Sequence, residues 1–206
     1  EDESLAARAM ISCGIRRNTS TAGQLVELLS KSSRERKAAA AASLILMEDS
    51  SSTQANETIN QMLFDEDKST QLAALSSVGH ISGILSDEGL AKLLNDDSPD
   101  VRSRAAQLAE ERSDESLISP LVRNLDDPHT LPAARRALKF FDESTVAEKL
   151  GDVLNDEETS ATLLIGAVRT LSDYRDHADL EKIIEQGSSD KLDLTKEVVD
   201  SLLKLA

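Results

Sequence analysis

Residues 89–106 read GLAKLLNDDSPDVRSRAA, and residues 120–134 read PLVRNLDDPHTLPAA, 31 positions further along the chain. In both stretches, apolar residues three or four positions apart lead to two adjacent aspartates, and a proline and two adjacent alanines follow. This apolar spacing is typical of an amphipathic α-helix, and a proline next to Ser or Asp is a common start of a further helix. Each stretch therefore predicts a helical hairpin with a polar turn.

The same register extends along the chain at a period of about thirty residues. The apolar residues that close successive first helices are separated by 34, 31, 31, 29 and 30 positions; they are Leu29, Leu63, Leu94, Leu125, Leu154 and Ile184. Such a period predicts stacked helical repeats, in which each hairpin covers the apolar side of the next.

The hairpins can be placed by their apolar positions and start signals. The predicted first helices are 20–31, 52–65, 84–95, 114–126, 143–155 and 176–186, and the predicted second helices are 33–48, 67–81, 98–111, 130–141, 157–173 and 189–205. A lone helix at 3–14 is expected to precede them. Pro120 lies inside a predicted first helix and is expected to bend it, because its ring removes one backbone hydrogen bond.

The composition favours an all-α protein. Leu and Ala account for 54 of the 206 residues, whereas Phe, Tyr and Trp together account for four. Leu and Ala are strong helix formers, and strands prefer β-branched and aromatic residues.

Charge and cysteine content indicate a location. The formal net charge is −15, and the single cysteine, Cys13, excludes an internal disulfide bond. This cysteine usage favours a reducing compartment, and we predict the cytoplasm. No apolar run approaches the roughly 20 residues of a membrane-spanning helix. Because the sequence begins at Glu1 and not at Met, we expect it to be part of a larger protein.

Side chains that carry chemistry are few and far apart. His80, His129 and His177 fall in three different predicted repeats, so no two of them lie at the spacing of a helical zinc site. Cys13 has no neighbouring histidine, and a small buried side chain is the simplest interpretation. The sequence therefore predicts no catalytic residue, no metal ligand and no cofactor.

Basic residues collect on the predicted second helices and suggest a partner-binding surface. The candidate residues are Arg36, Lys68, Arg102, Arg104, Arg135, Arg136, Lys139 and Arg169. If they line one groove, they are expected to attract another protein through an acidic peptide segment. The alternative is that they form ion pairs with turn aspartates of adjacent repeats, as Arg102 would with Asp127 or Asp65.

Residues 90–106, with the pattern L-x-x-L-L-x-D-x-x-x-x-V-R-x-x-A-A, resemble the HEAT repeats, in particular the bacterial HEAT-like repeats of the phycobilisome-lyase type. The resemblance covers about residues 20–205. It implies a right-handed α-α superhelix, a HEAT-like α-solenoid of about six hairpins plus the leading helix, with second helices on the concave side. It also implies a role in protein binding.

The resulting organisation is a single HEAT-like domain over residues 1–206. It comprises an orphan helix of a preceding repeat in 1–19 and repeats at 20–48, 52–81, 84–111, 114–141, 143–173 and 176–205.

Three functions fit this organisation. The first is a non-catalytic interaction or scaffold module that binds its partner along the concave second-helix surface. The second is a subunit of a lyase or other enzyme of the phycobilisome-lyase type, and the third is a soluble regulatory domain of a larger protein, membrane proteins included. Nucleic-acid binding is disfavoured by the negative charge and by the scarcity of aromatic residues. The repeats also allow end-to-end self-association.

Overall fold

The computed structural model describes residues 2–79, 81, 84–156 and 158–173. Within these ranges the chain is helical and contains no strand, and eleven α-helices follow one another. They are α1 (Glu3–Ile15), α2 (Ala22–Lys31), α3 (Arg34–Met47), α4 (Ser52–Leu63), α5 (Lys68–Val78), α6 (Asp87–Leu94), α7 (Pro99–Ala109), α8 (Ile118–Arg123), α9 (Leu131–Leu138), α10 (Glu143–Asn155) and α11 (Ala161–Leu171). The all-α, HEAT-like architecture is confirmed.

The helices pair in the predicted order. Helix α2 contacts α3, α4 contacts α5, α8 contacts α9, and α10 contacts α11. The odd-numbered helices from α3 to α11 are the predicted second helices, and α1 is the predicted leading helix. The predicted hairpin at 176–205, with Ile184, lies outside the described residues, as do His80 and His177.

The chain forms two compact units, unit 1 with residues 1–89 and unit 2 with residues 90–206. Helix α3 is the central helix of unit 1, because it contacts α1, α2, α4 and α5. The side chains of Ala38–Ala42 are all fully buried, and small side chains let neighbouring helices approach closely. A β-carbon at Gly14 of α1 would lie only 2.7 Å from the Cα atom of Ser43. Unit 1 is therefore built around an alanine-rich helix.

Unit 2 has a leucine-rich core. Helix α9 contacts both α7 and α8, and α10 contacts α8 and α11. Leu121, Leu125 and Val146 are fully buried among these helices. A β-carbon at Gly166 of α11 would lie 2.6 Å from the carbonyl oxygen of Leu125, so two backbone segments meet directly here.

Side-chain caps start several of the helices. The Asp2 carboxylate accepts hydrogen bonds from the backbone N–H groups of Ser4 and Leu5, and the Asp67 carboxylate accepts one from Ser69. These oxygens satisfy N–H groups that have no partner inside the helix.

Two segments differ from the prediction. The helix predicted at 114–126 is divided into a 3₁₀ turn at Glu115–Leu117, the short helix α8 and a second 3₁₀ turn at Asn124–Asp126, with Pro120 inside α8. The helix predicted from 157 begins at Ala161. Its start is fixed by Ser160, whose hydroxyl accepts a hydrogen bond from the backbone N–H of Leu163 and donates one to the Asp126 carboxylate.

Candidate functional site

Arg102 lies near the start of α7 and is held by four groups of unit 2. Its Nη2 atom lies 2.5 Å from Oδ2 of Asp127. Its Nη1 atom donates to the carbonyl oxygens of Asp96 and Asp97 at 2.8 and 3.1 Å, and its Nε donates to Oδ1 of Asn124 at 3.0 Å. Of the two carboxylates considered for Arg102, the structure therefore places Asp127 against it. All four of these partners belong to the protein itself. Arg102 therefore stabilises the turn between α6 and α7.

Asn124 extends this polar network into the core. Its side chain is 4 % exposed, and its amide donates to the carbonyl oxygens of Leu94 and Pro120 at 2.7 and 2.9 Å. The buried hydroxyl of Thr130 donates to the Asn124 carbonyl oxygen at 2.5 Å. Together with Arg102, the network links four successive helices, from α6 to α9. Buried polar groups are stable only when they are bonded in this way.

Three candidate cations at the C-terminal end of α9 form ion pairs with neighbouring second helices. Arg135 lies 2.7 Å and Lys139 lies 3.3 Å from the Asp173 carboxylate, just after α11. Arg136 lies 3.1 Å from the Glu110 carboxylate, at the end of α7. Asp173 therefore faces two cations at once.

The candidates in unit 1 are placed separately. Arg36 contacts the Glu3 carboxylate of α1 at 3.0 Å, and Lys68 is the first residue of α5. Arg34, which was not among the candidates, contacts Asp67 at 2.6 Å. The Arg34 pair joins one hairpin to the next, as the Arg102 pair does in unit 2.

Arg104 differs from the other half-buried arginines of the second helices. Arg36, Arg102 and Arg135 each contact a carboxylate, whereas Arg104 donates from Nη1 only to the neutral Oε1 of Gln107, at 2.5 Å. Its Nε atom is buried and has no hydrogen-bond partner. Burial lowers the pKa of the Arg104 guanidinium, because desolvation disfavours its charged form. Within the described residues, a half-buried cation thus has no counter-ion.

The remaining candidate, Arg169 on α11, is exposed, and its side chain forms no ion pair within the part of the chain that the structure describes. Its carbonyl oxygen accepts a hydrogen bond from Nη2 of Arg135 at 3.0 Å. The predicted second helices of unit 2 thus carry five candidate cations besides Arg102, namely Arg104, Arg135, Arg136, Lys139 and Arg169, and the carboxylates of Glu110 and Asp173 pair with three of them. We call this set the basic surface.

The side chains with catalytic or metal-binding potential lie apart. The ring of His129 is exposed and lies 2.9 Å from the Asp100 carboxylate, and Cys13 on α1 is a half-buried free thiol. Across residues 2–79, 81, 84–156 and 158–173, no three His, Cys, Asp or Glu side chains are grouped so as to hold a metal ion. No described helix has the length and apolar character needed to span a membrane.

Unit 1 contains a groove that the sequence analysis did not identify. It has a volume of about 420 Å³ and lies between α1 and α5, with Glu35 of α3 also in its lining. Its apolar lining comes from Ala7, Ile11, Leu72 and Ala73. On each helix the full set of lining residues recurs three and four positions apart, for example Ser4, Ala7 and Ile11 on α1. This pattern could have shown that each helix presents a face, but not that the two faces border one groove.

Consecutive hairpins, joined by side-chain bridges that run from one hairpin to the next, define a helical-repeat protein. Residues 87–163 match the family described as HEAT repeats, and the chain is similar to that family over this stretch. The match includes the stretch whose pattern suggested the family; it names no subgroup, so the phycobilisome-lyase type stays a prediction. No curated protein was found to match the chain. HEAT repeats commonly mediate protein–protein interaction.

Proposed function

We propose that the protein is a non-catalytic interaction module, whose basic surface in unit 2 binds an acidic segment of a partner protein. The observation that carries this proposal is Arg104, a half-buried cation that contacts no carboxylate of the described residues. The neighbouring second helices add the positive charges of Arg135, Arg136, Lys139 and Arg169, although the chain as a whole has a formal charge of −15. Such an asymmetry steers an oppositely charged partner to one face and repels it from the others.

Arg104 is the proposed anchor for a partner carboxylate. Its guanidinium is already partly desolvated, and in the part of the chain that the structure describes its hydrogen-bond partner is the neutral Gln107 amide. A carboxylate can accept two parallel hydrogen bonds from an arginine, and this pairing is stronger than a bond between neutral groups. Arg104 is already partly removed from water in the free protein. A carboxylate that docks here therefore forms its ion pair with little additional desolvation of Arg104.

The other candidates have different roles in this proposal. Arg135, Arg136 and Lys139 supply the surrounding positive field, because their own ion pairs leave a net positive charge. Arg36 and Arg102 are assigned to the structure of the repeats, since their bonds go to groups of the protein. The cytoplasm is the proposed location, on the basis of the single cysteine.

The test is the binding of a short labelled peptide of alternating Glu and Ala, compared with a Gln and Ala peptide of the same length. We expect the Glu peptide to bind better, and added salt to weaken its binding by screening. Arg104→Glu should weaken it by about tenfold or more. Arg123→Glu is the matched control, because it makes the same charge change at an exposed position of α8. Equal losses in the two variants, or equal binding of both peptides, would overturn the proposal.

A further inference from the structure

The groove of unit 1 is bordered by two helix faces. Helix α1 contributes Ser4, Ala7, Arg8 and Ile11, and α5 contributes a set that includes Ser69, Leu72, Ala73 and Ser76. Both sets follow the i, i+3, i+4, i+7 spacing of a single helical face. Small side chains predominate on both sides, so a third helix could approach the two walls closely.

Several polar side chains of the groove lining are uncommitted, whereas the Ser77 hydroxyl donates a hydrogen bond to the Ala73 carbonyl oxygen. Within the described residues, the hydroxyls of Ser4, Ser69 and Ser76 form no hydrogen bond, and the exposed guanidinium of Arg8 forms no ion pair. The other charged lining residue, Glu35, lies 3.4 Å from Nε of its neighbour Arg34. Arg8 is therefore the one charge of the described lining that is left for a ligand.

We infer that this groove is a second binding site, and that its occupant is an amphipathic helix of a partner protein. The helix presents a narrow row of apolar side chains to Ala7, Ile11, Leu72 and Ala73, and an acidic residue beside that row pairs with Arg8. The volume of about 420 Å³ is enough for a few side chains of the row, while the helix backbone stays outside. Docking an amphipathic helix by its apolar face into a groove between helices is a recurring mode of peptide recognition.

This inference concerns unit 1 alone and does not depend on the basic surface of unit 2. The experiment is a selection from a display library of helix-forming peptides on the full chain, followed by anisotropy measurements with the selected peptides. We expect the selected sequences to share an apolar row at i, i+4 and i+7 with a neighbouring Asp or Glu. Arg8→Glu should reverse the preference between an acidic and a lysine residue at that position.

A second variant blocks the groove. Ser76→Trp fills it from the rim and should weaken binding of the selected peptides by about tenfold or more. Asn60→Trp, at an exposed position of α4 away from the groove, is the matched control. Arg104→Glu should leave this binding unchanged, which separates the groove from the basic surface. Selected peptides without the acidic and apolar pattern, or binding that survives Ser76→Trp, would overturn the inference.

Discussion

Arg17 and Glu48, the non-glycine residues with positive φ in the described part of the chain, form an ion pair with each other. Their φ angles are 52° and 55°, and Nη2 of Arg17 lies 2.7 Å from Oε1 of Glu48. Arg17 follows the end of α1, and Glu48 is the C-cap of α3. Each of two neighbouring helices is thus followed at its C-terminal end by a residue with positive φ, and the side chains of these two residues meet.

This arrangement predicts that Glu48→Gly is more stable than Glu48→Ala by about 1 kcal/mol, because glycine adopts the left-handed conformation without the steric cost that alanine keeps. Both variants lose the exposed ion pair equally, and such pairs contribute about 0–1 kcal/mol. Urea unfolding followed by circular dichroism measures the difference. Identical unfolding midpoints would contradict a conformational cost at this position.

The glycines that touch neighbouring backbone give a second prediction. Gly14→Ala and Gly166→Ala should each lower the free energy of unfolding by about 1–3 kcal/mol, because the new methyl group meets the backbone of Ser43 or Leu125. Gly23→Ala is the matched control: nothing lies within 4 Å of a β-carbon there, and alanine is the better helix former by up to about 1 kcal/mol. In thermal unfolding, the melting temperature should therefore fall in Gly14→Ala and Gly166→Ala and rise in Gly23→Ala.

Two inter-hairpin arginines should differ in their effect on stability. The Arg102 side chain is 18 % exposed, whereas that of Arg34 is 44 % exposed. Arg102→Met leaves Asp127 and Asn124 without their donor and should cost about 2–4 kcal/mol. Arg34→Met breaks an exposed pair and should cost at most about 1 kcal/mol. Chemical denaturation of both variants tests this order. Equal losses in the free energy of unfolding would show that the half-buried network contributes no more stability than the exposed Arg34 pair.

The aspartates at helix starts predict a loss of stability in acid. Hydrogen bonds from Ser144 and Thr145 lower the pKa of Asp142 below its ordinary value of 3.8. The pKa of Asp67 is also lowered, mainly by a hydrogen bond from the Thr70 hydroxyl. A carboxyl group whose pKa is lower in the folded state stabilises the fold above the unfolded pKa, and the effect is lost as the pH falls through the folded pKa.

We therefore expect the melting temperature to fall as the pH is lowered from about 5 to 2. Ser144→Ala removes the hydroxyl group that lowers the pKa of Asp142 most. The pKa of the Asp142 carboxyl group should therefore rise towards its ordinary value. The variant should then lose less stability than the wild type over the same pH range. Melting curves at a series of pH values, with an NMR titration of the Asp142 carboxyl group, provide the measurement. A steeper loss in Ser144→Ala would contradict the assignment.

The positions of the helices could be predicted from local signals. Helix α7 begins at Pro99 and α10 begins after Asp142, because a proline or a capping carboxylate acts within one turn of the chain. The start of α11 was predicted at 157, although Ser160 supplies a local cap by accepting a hydrogen bond from the backbone N–H of Leu163. What no local signal could show is the second contact of Ser160, with Asp126 34 residues earlier, which exists only once two hairpins have packed together.

The residues of the candidate site could be predicted from the sequence, but the ion pairs that they form could not. The sequence singled out Arg104 and Arg135 as equivalent members of a basic strip. The structure separates them: the end of α11 brings Asp173 to Arg135, whereas the one group of the described residues that accepts a hydrogen bond from Arg104 is the Gln107 amide. Which carboxylate lies within reach of a long side chain depends on the packing of neighbouring helices, and the helical period carries no information about it.

The five enclosed alanines of α3 constrain how this protein can diverge in evolution. Each alanine methyl group is completely covered, and four other helices contact α3. Any larger side chain at Ala38–Ala42 needs a simultaneous reduction on the neighbour that faces it. Substitutions in this helix should therefore accumulate as compensated pairs with α1, α2, α4 or α5.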